Sequence, residues 1–342
     1  MSDPTPPLTS PTFFDDARSI RYYSAPRLRQ RYWLHSLLLL ATFFTTLVVG
    51  AKFQFNFSHH ITVFGLDDDS GFPFPLRWIL HRPANLLLGL PFSLSLMGIL
   101  LAHEMGHYVY CRRYHVQATL PFFLPAPTLI GTLGAFIRIK SPIPTRRALF
   151  DIGIGGPIAG FVVALPLLFV GLGLSQSTSA HHALLGFGYP YIFNLVHQLC
   201  GPAVPLDRIQ LHPVAIAAWF GMFATSLNLL PGGQLDGGHI VASIWPRAHR
   251  WISLLTIATL LVLAWFTFIG WLLWAVFLLI ALRHPRIPEY PPLNAGRLWI
   301  GLLAMVMLAI TITPRPFSDS DKPNDSMSIH DIVQKYLPGG QR

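Results

Sequence analysis

Charge is what this 342-residue chain has least of. Asp, Glu, Lys and Arg make up 11% of it, less than half of the ~25% usual in soluble domains. Glutamate is nearly missing, with Glu104 and Glu289 the two present. Such a composition cannot coat a soluble surface of this size. With 52% hydrophobic residues, it places the chain in a lipid bilayer. Cysteine is scarce as well: Cys111 and Cys200 form no CxxC pair, which excludes a thiolate zinc site and a dithiol redox motif. No long apolar run occurs before Trp33, whereas a cleaved secretory signal would put one nearer the start. Asp3, Asp15 and Asp16 argue against an organelle transit peptide, a class poor in acidic residues. No nucleic-acid-binding motif is present, so the net charge of +9 reads as orientation in a bilayer, with no nucleic-acid partner.

What the chain does have is long apolar runs. Seven candidate spans fall at 33–51, 86–110, 152–174, 212–230, 251–267, 268–282 and 297–313, judged by apolar length. The fifth and sixth form one run from Trp251 to Leu282, with Phe268-Ile269-Gly270 as the expected turn. The expected fold class is an all-α polytopic membrane protein, with six to seven transmembrane helices and a short membrane-associated β-hairpin. The hairpin expectation comes from 116–147. Leu120–Pro127 is apolar but too proline-rich for a helix. Ala135–Lys140 alternates with period two, as a strand does. Exposed strand edges are not tolerated in lipid, so this strand should rest on protein or line a polar cavity.

Basic residues cluster before the first span (Arg18, Arg21, Arg27, Arg29, Arg31), after the second (Arg112, Arg113, Arg138, Lys140, Arg146, Arg147), after the fourth (Arg247, Arg250) and before the seventh (Arg283, Arg286, Arg297). Sixteen of the 24 Lys and Arg residues then lie on one side. That side is cytoplasmic and holds the N-terminus. Cys111 and Cys200 fall on opposite sides and should not pair. The division expected is a cytoplasmic segment 1–32, a transmembrane unit 33–313 and a polar tail 314–342. No internal repeat is evident.

The chemistry is carried by His103-Glu104-Met105-Gly106-His107. In a helix, residues i and i+4 share a face. Two imidazoles so placed can bind one Zn²⁺, with Glu104 beside the metal's fourth position as general base. With 15 His and two Glu in the chain, chance supplies about 0.004 such matches. A structural pair of histidines on a polar helix face is the bland alternative, disfavoured because ionisable groups within a span are costly. Catalytic zinc takes three protein ligands and keeps one position open. Asp236 is the best candidate for the third, in Asn228-Leu-Leu-Pro-Gly-Gly-Gln-Leu-Asp236, where Pro231 and the glycines should break the helix. Asp151 and His239 are rivals, although Asp151 reads more plainly as a helix N-cap. Asn228 is expected either to bind substrate or oxyanion or to satisfy carbonyls freed by Pro231. His59, His60, His181 and His182 read as surface histidines.

Taken together, the helical HExxH, the GxGGP of Gly153–Pro157 and the Asn-x-x-Pro-x-x-x-x-Asp-Gly of Asn228–Gly237 resemble the site-2 protease family of intramembrane metalloproteases. The stretch His212–His239 looks most like the branch with plastid proteins and bacterial relatives. The resemblance covers about residues 86–250. It implies one zinc per chain and cleavage of membrane-protein substrates near the cytoplasmic side of a bilayer, with the hairpin helping to hold the unwound substrate. A bacterial cytoplasmic membrane is the expected location. Ile158-Ala159-Gly160 departs from the pattern, since many relatives carry an Asn shortly after the Gly-Pro. No sensor insert is evident. A metal-binding transporter and a non-proteolytic scaffold are the competing readings. The transporter requires polar residues strung across the bilayer, whereas here they gather at one depth.

Overall fold

The computed structural model describes residues 30–64, 74–177, 186–282, 292–318 and 328–329. The chain is mainly helical. Its elements are α1 (Tyr32–Ser58), α2 (Leu76–His81), a 3-10 turn (Pro83–Gly89), α3 (Leu90–Arg113), β1 (Phe122–Pro125), β2 (Thr132–Phe136), α4 (Arg146–Gly173), β3 (Gln176–Ser177), β4 (Gly186–Phe187), α5 (Tyr191–Cys200), β5 (Ile209–Gln210), α6 (Pro213–Asn228), α7 (Asp236–Ile244), α8 (His249–Phe266), α9 (Gly270–Ile280), α10 (Ala295–Thr311) and β6 (Phe317–Ser318).

Among the described residues, four helical stretches are long and apolar enough to cross a membrane: Tyr32–Ser58, Pro83–Arg113, Arg146–Gly173 and His249–Phe266. The other three expected spans form the shorter apolar helices α6, α9 and α10. The run from Trp251 does break where expected, between α8 and α9. The third span differs at its start. The helix begins at Arg146, and Thr145 caps it by accepting the Ala148 amide at 3.1 Å. Asp151 therefore lies inside α4 and is not its N-cap. The Pro-Gly-Gly stretch breaks the chain as expected, separating α6 from α7. Most of segments 1–32 and 314–342, Arg283, Arg286, His181 and His182 lie outside the described residues.

The centre of the molecule is built from α3, α4 and α6. Apolar burial alone does not drive helices together in lipid, where close packing at small residues does more. Such a contact joins α3 to α4: a Cβ on Gly106 would lie 2.2 Å from the Gly155 carbonyl oxygen, so the two backbones touch. The largest buried cluster joins Phe92, Leu96 and Ile99 of α3 to Leu168 and Leu172 of α4 and Trp219 of α6. A second cluster sets Leu227, Leu230 and Leu235 against Ile257 and Leu260 of α8 and Trp271 and Leu278 of α9.

The hairpin is present, with its strands placed differently from the sequence reading. Antiparallel β1 and β2 pair Phe122 with Phe136 and Phe123 with Ala135. The alternating stretch 135–140 continues the ladder loosely, through an Ala118–Ile139 bridge. The hairpin rests on α1. Thr45 Oγ1 donates to the Gly131 carbonyl at 2.6 Å, and His35 Nδ1 lies 3.2 Å from the Pro121 carbonyl. Two further antiparallel pairs, β3–β5 and β4–β6, join loops at helix ends.

Candidate metal centre

Helix α3 carries His103 and His107 one turn apart, both buried together with Glu104. Asp236 opens α7, in the first turn after the break. There its carboxylate also faces the positive end of the helix dipole. These elements converge: Oδ2 of Asp236 lies 3.2 Å from His103 Nε2 and 3.3 Å from His107 Nε2. Among the described residues, His103, His107 and Asp236 form a group whose ligand atoms all lie within 4.8 Å of one another.

The orientation of His107 is fixed from behind. Its Nδ1 lies 2.7 Å from the Ile152 carbonyl oxygen. A carbonyl can only accept, so Nδ1 donates to it, and Nε2 is the ring nitrogen turned toward Asp236 and left for a metal. Space is equally controlled. A Cβ on Gly156 would sit 2.1 Å from His107 Nε2, and one on Gly160 would sit 3.2 Å from His103 Nδ1. Two glycines four residues apart on α4 thus face two histidines four residues apart on α3. In the sequence Gly160 stands out only within Ile158-Ala159-Gly160, which departs from the family pattern. The spacing shared by 156/160 and 103/107 was the available signal.

Glu104 lines a cavity of about 350 Å³ together with His103, Asn228 and the β2 residues Thr132, Leu133 and Ala135. The Ile137 backbone amide is within hydrogen-bonding reach of the Glu104 carboxylate. Asn228 ends α6, with its Nδ2 3.2 Å from His103 Nε2. A larger cavity, about 850 Å³, lies between the first turn of α1 and the hairpin, lined by Arg31, His35 and Lys140 among others. None of the five site side chains lines it, so volume alone does not mark the chemistry.

The rivals fall elsewhere. Asp151 receives Arg297 Nε at 2.8 Å and Nη2 at 2.6 Å, and the Tyr114 hydroxyl donates to it. This carboxylate is engaged in a clamp joining α3, α4 and α10. Burial and the neighbouring Asp151 carboxylate raise the Tyr114 phenol above its ordinary pKa, so it remains a donor at neutral pH. His239 lies outside the convergent group. His59 is at the surface, and Cys111 and Cys200 are both free thiols.

Two imidazole nitrogens and one carboxylate oxygen, with a cavity on the open side, are the donor set and access that a catalytic zinc ion takes. The residues present fit the metal.

The chain matches the family described as Peptidase family M50 over residues 91–269. It is 30% identical over 301 residues to "Probable zinc metalloprotease EGY1, chloroplastic" of Oryza sativa subsp. japonica, covering 84% of this chain and 51% of that protein. Identity to the protein of the same description in Arabidopsis thaliana is 30% over 240 residues, covering 66% and 43%. To "Probable zinc metalloprotease EGY2, chloroplastic" of Arabidopsis thaliana it is 30% over 256 residues, covering 70% and 44%. The chain spans about half the length of the curated relatives it matches. The family match takes in more than half of this chain and runs through α3, α4 and the α6–α7 break alike, so the chain belongs to Peptidase family M50.

Proposed function

We propose that this membrane protein is an intramembrane zinc metallopeptidase, hydrolysing peptide bonds in or beside the transmembrane segments of other membrane proteins. The observation that carries the reading is the meeting of Asp236 with His103 and His107, from stretches more than a hundred residues apart, beside the buried carboxylate of Glu104. In this reading the two Nε2 atoms and the Asp236 carboxylate hold one Zn²⁺ per chain. A zinc ion in such a site supplies Lewis acidity, lowering the pKa of water and polarising a carbonyl.

The remaining work falls to the protein. The Glu104 carboxylate takes the proton of the attacking water and returns it to the leaving amide nitrogen as the C–N bond breaks. The Asn228 amide, beside His103 at the cavity edge, donates to the oxygen of the scissile carbonyl as charge develops there. A peptide bond inside a substrate helix is shielded by its own hydrogen bonds, so the substrate must unwind. The edge of the hairpin over the cavity offers backbone partners for an extended segment.

We further propose the division into an N-terminal segment 1–32 on the cytoplasmic side, a transmembrane unit 33–313 with its core near 86–250, and a polar tail 314–342. The matched relatives are named as chloroplastic and lend no support to a bacterial cytoplasmic membrane, so the reading commits to a bilayer and leaves the organelle open. The test compares membrane-protein fragments in cells carrying the wild type or Glu104→Gln. Fragments that vanish with the variant support the reading, and identical fragment patterns overturn it.

A further inference from the structure

The segment Leu229–Leu235, which connects Asn228 to Asp236, has no helix of its own to satisfy its backbone. Backbone left unpaired at membrane depth is costly. Helix α8 supplies the missing partners from one face. His249, Ser253 and Thr256 stand at i, i+4 and i+7, and all three are buried. His249 Nε2 lies 3.0 Å from the Gly233 carbonyl oxygen. Ser253 Oγ accepts the Gly233 amide at 3.1 Å, and the Thr256 hydroxyl shares its proton between the Pro231 carbonyl at 3.1 Å and the Ile252 carbonyl of its own helix at 2.9 Å. Both backbone groups of Gly233 are thereby taken by α8. Gly233 itself sits at φ +57, a left-handed conformation natural to glycine.

We propose that His249, Ser253 and Thr256 are positioning residues: they hold the 229–235 segment at the height and angle that bring Asp236 to His103 and His107. The inference rests on the metallopeptidase reading for its consequence, which is the strength of metal binding. Three donor–acceptor contacts fix a short loop as a rigid strut. The strut's far end is the first residue of α7, which is Asp236. Loosening it lets the carboxylate drift from the two imidazoles while leaving α3 untouched.

The experiment uses the full chain in lipid nanodiscs, with Zn²⁺ affinity read by competition with a chelator. Deuterium exchange over residues 232–238 is read on the metal-free protein. His249→Leu removes the partner of the Gly233 carbonyl, whereas His249→Gln keeps a donor near the Nε2 position. Removing supports of metal ligands usually weakens metal binding by about 10–100-fold. His249→Leu should show a loss in that range and faster exchange in 232–238. His249→Gln should restore both to within about threefold of wild type. Thr256→Val, nearly equal in volume, should fold as wild type and lose part of the affinity, and it decides the matter if His249→Leu does not fold. Wild-type affinity and exchange in His249→Leu and Thr256→Val overturn the proposal, as does a loss that His249→Gln fails to restore. If the wild type itself binds no Zn²⁺, the metal reading of the site falls, and the exchange comparison alone judges the strut.

Discussion

A methyl group at Gly156 should do far more damage than one at Gly160, although both face the histidines of α3. The first would press to 2.1 Å of His107 Nε2, a ring already tied to the Ile152 carbonyl on its other side. The second would meet His103 at 3.2 Å, a contact that a shift of a few tenths of an ångström relieves. Gly156→Ala should therefore weaken zinc binding at least ~10-fold, and Gly160→Ala should stay within about threefold. Chelator competition on the two purified variants checks the contrast. Glu104→Gln should separate binding from chemistry. Zinc should be retained, while peptide cleavage falls by about 10²–10⁴ for want of a general base. The meeting of His103, His107 and Asp236 was legible in the sequence because a four-residue spacing on a helix and a proline-glycine break are local signals. Asp151 was not. Its partner Arg297 is 146 positions away, and no local pattern distinguishes a capping carboxylate from one engaged by a distant guanidinium.

Between elements, that same pair joins α4 to α10, with Tyr114 adding the end of α3. Charge-assisted hydrogen bonds are worth about 1–3 kcal/mol, and this pair is only partly buried. Arg297→Ala and Asp151→Asn should each lower unfolding stability in detergent by about that much. Because both remove the same contact, the double variant should cost clearly less than the sum of the two. A strictly additive double variant would show that the clamp contributes nothing as a pair. At this scale the sequence spoke unevenly. Period-two alternation announced a strand at 135–140, yet the regular pairing is at 122–125 with 132–136. Pro121 precedes β1 and Pro125 is its last residue, opposite Thr132, and prolines at such margins do not prevent pairing. The polar stripe of α8 was readable as period 3.6 in an apolar helix. Its meaning depended on which loop lay against it.

At the scale of the whole molecule, four helices among the described residues have the length and hydropathy to cross a bilayer, while α6, α9 and α10 are shorter. Apolar length overstated α6 and α9, since caps and breaks trim a run before it becomes a helix: Pro213 opens α6 as Asn228 closes it, and α9 keeps Gly270–Ile280 of 268–282. The α10 run kept its length and shifted, starting at Ala295 behind the Asn294 cap. Shortness suits α6, whose end must present Asn228 and hand over to the loop bearing Asp236. His103, Glu104, His107, Asn228 and Asp236 meet at one place in the fold, an arrangement suited to a single reaction centre. An ion path needs its polar groups spaced across the membrane.

Metal content tests the central claim most directly. The full chain, purified in detergent and dialysed against excess zinc, should retain one zinc per chain by elemental analysis. His103→Ala, His107→Ala and Asp236→Ala should each retain far less, with helical content unchanged by circular dichroism. A wild type that holds no zinc, or an Asp236→Ala variant that holds it as firmly as wild type, would contradict the account.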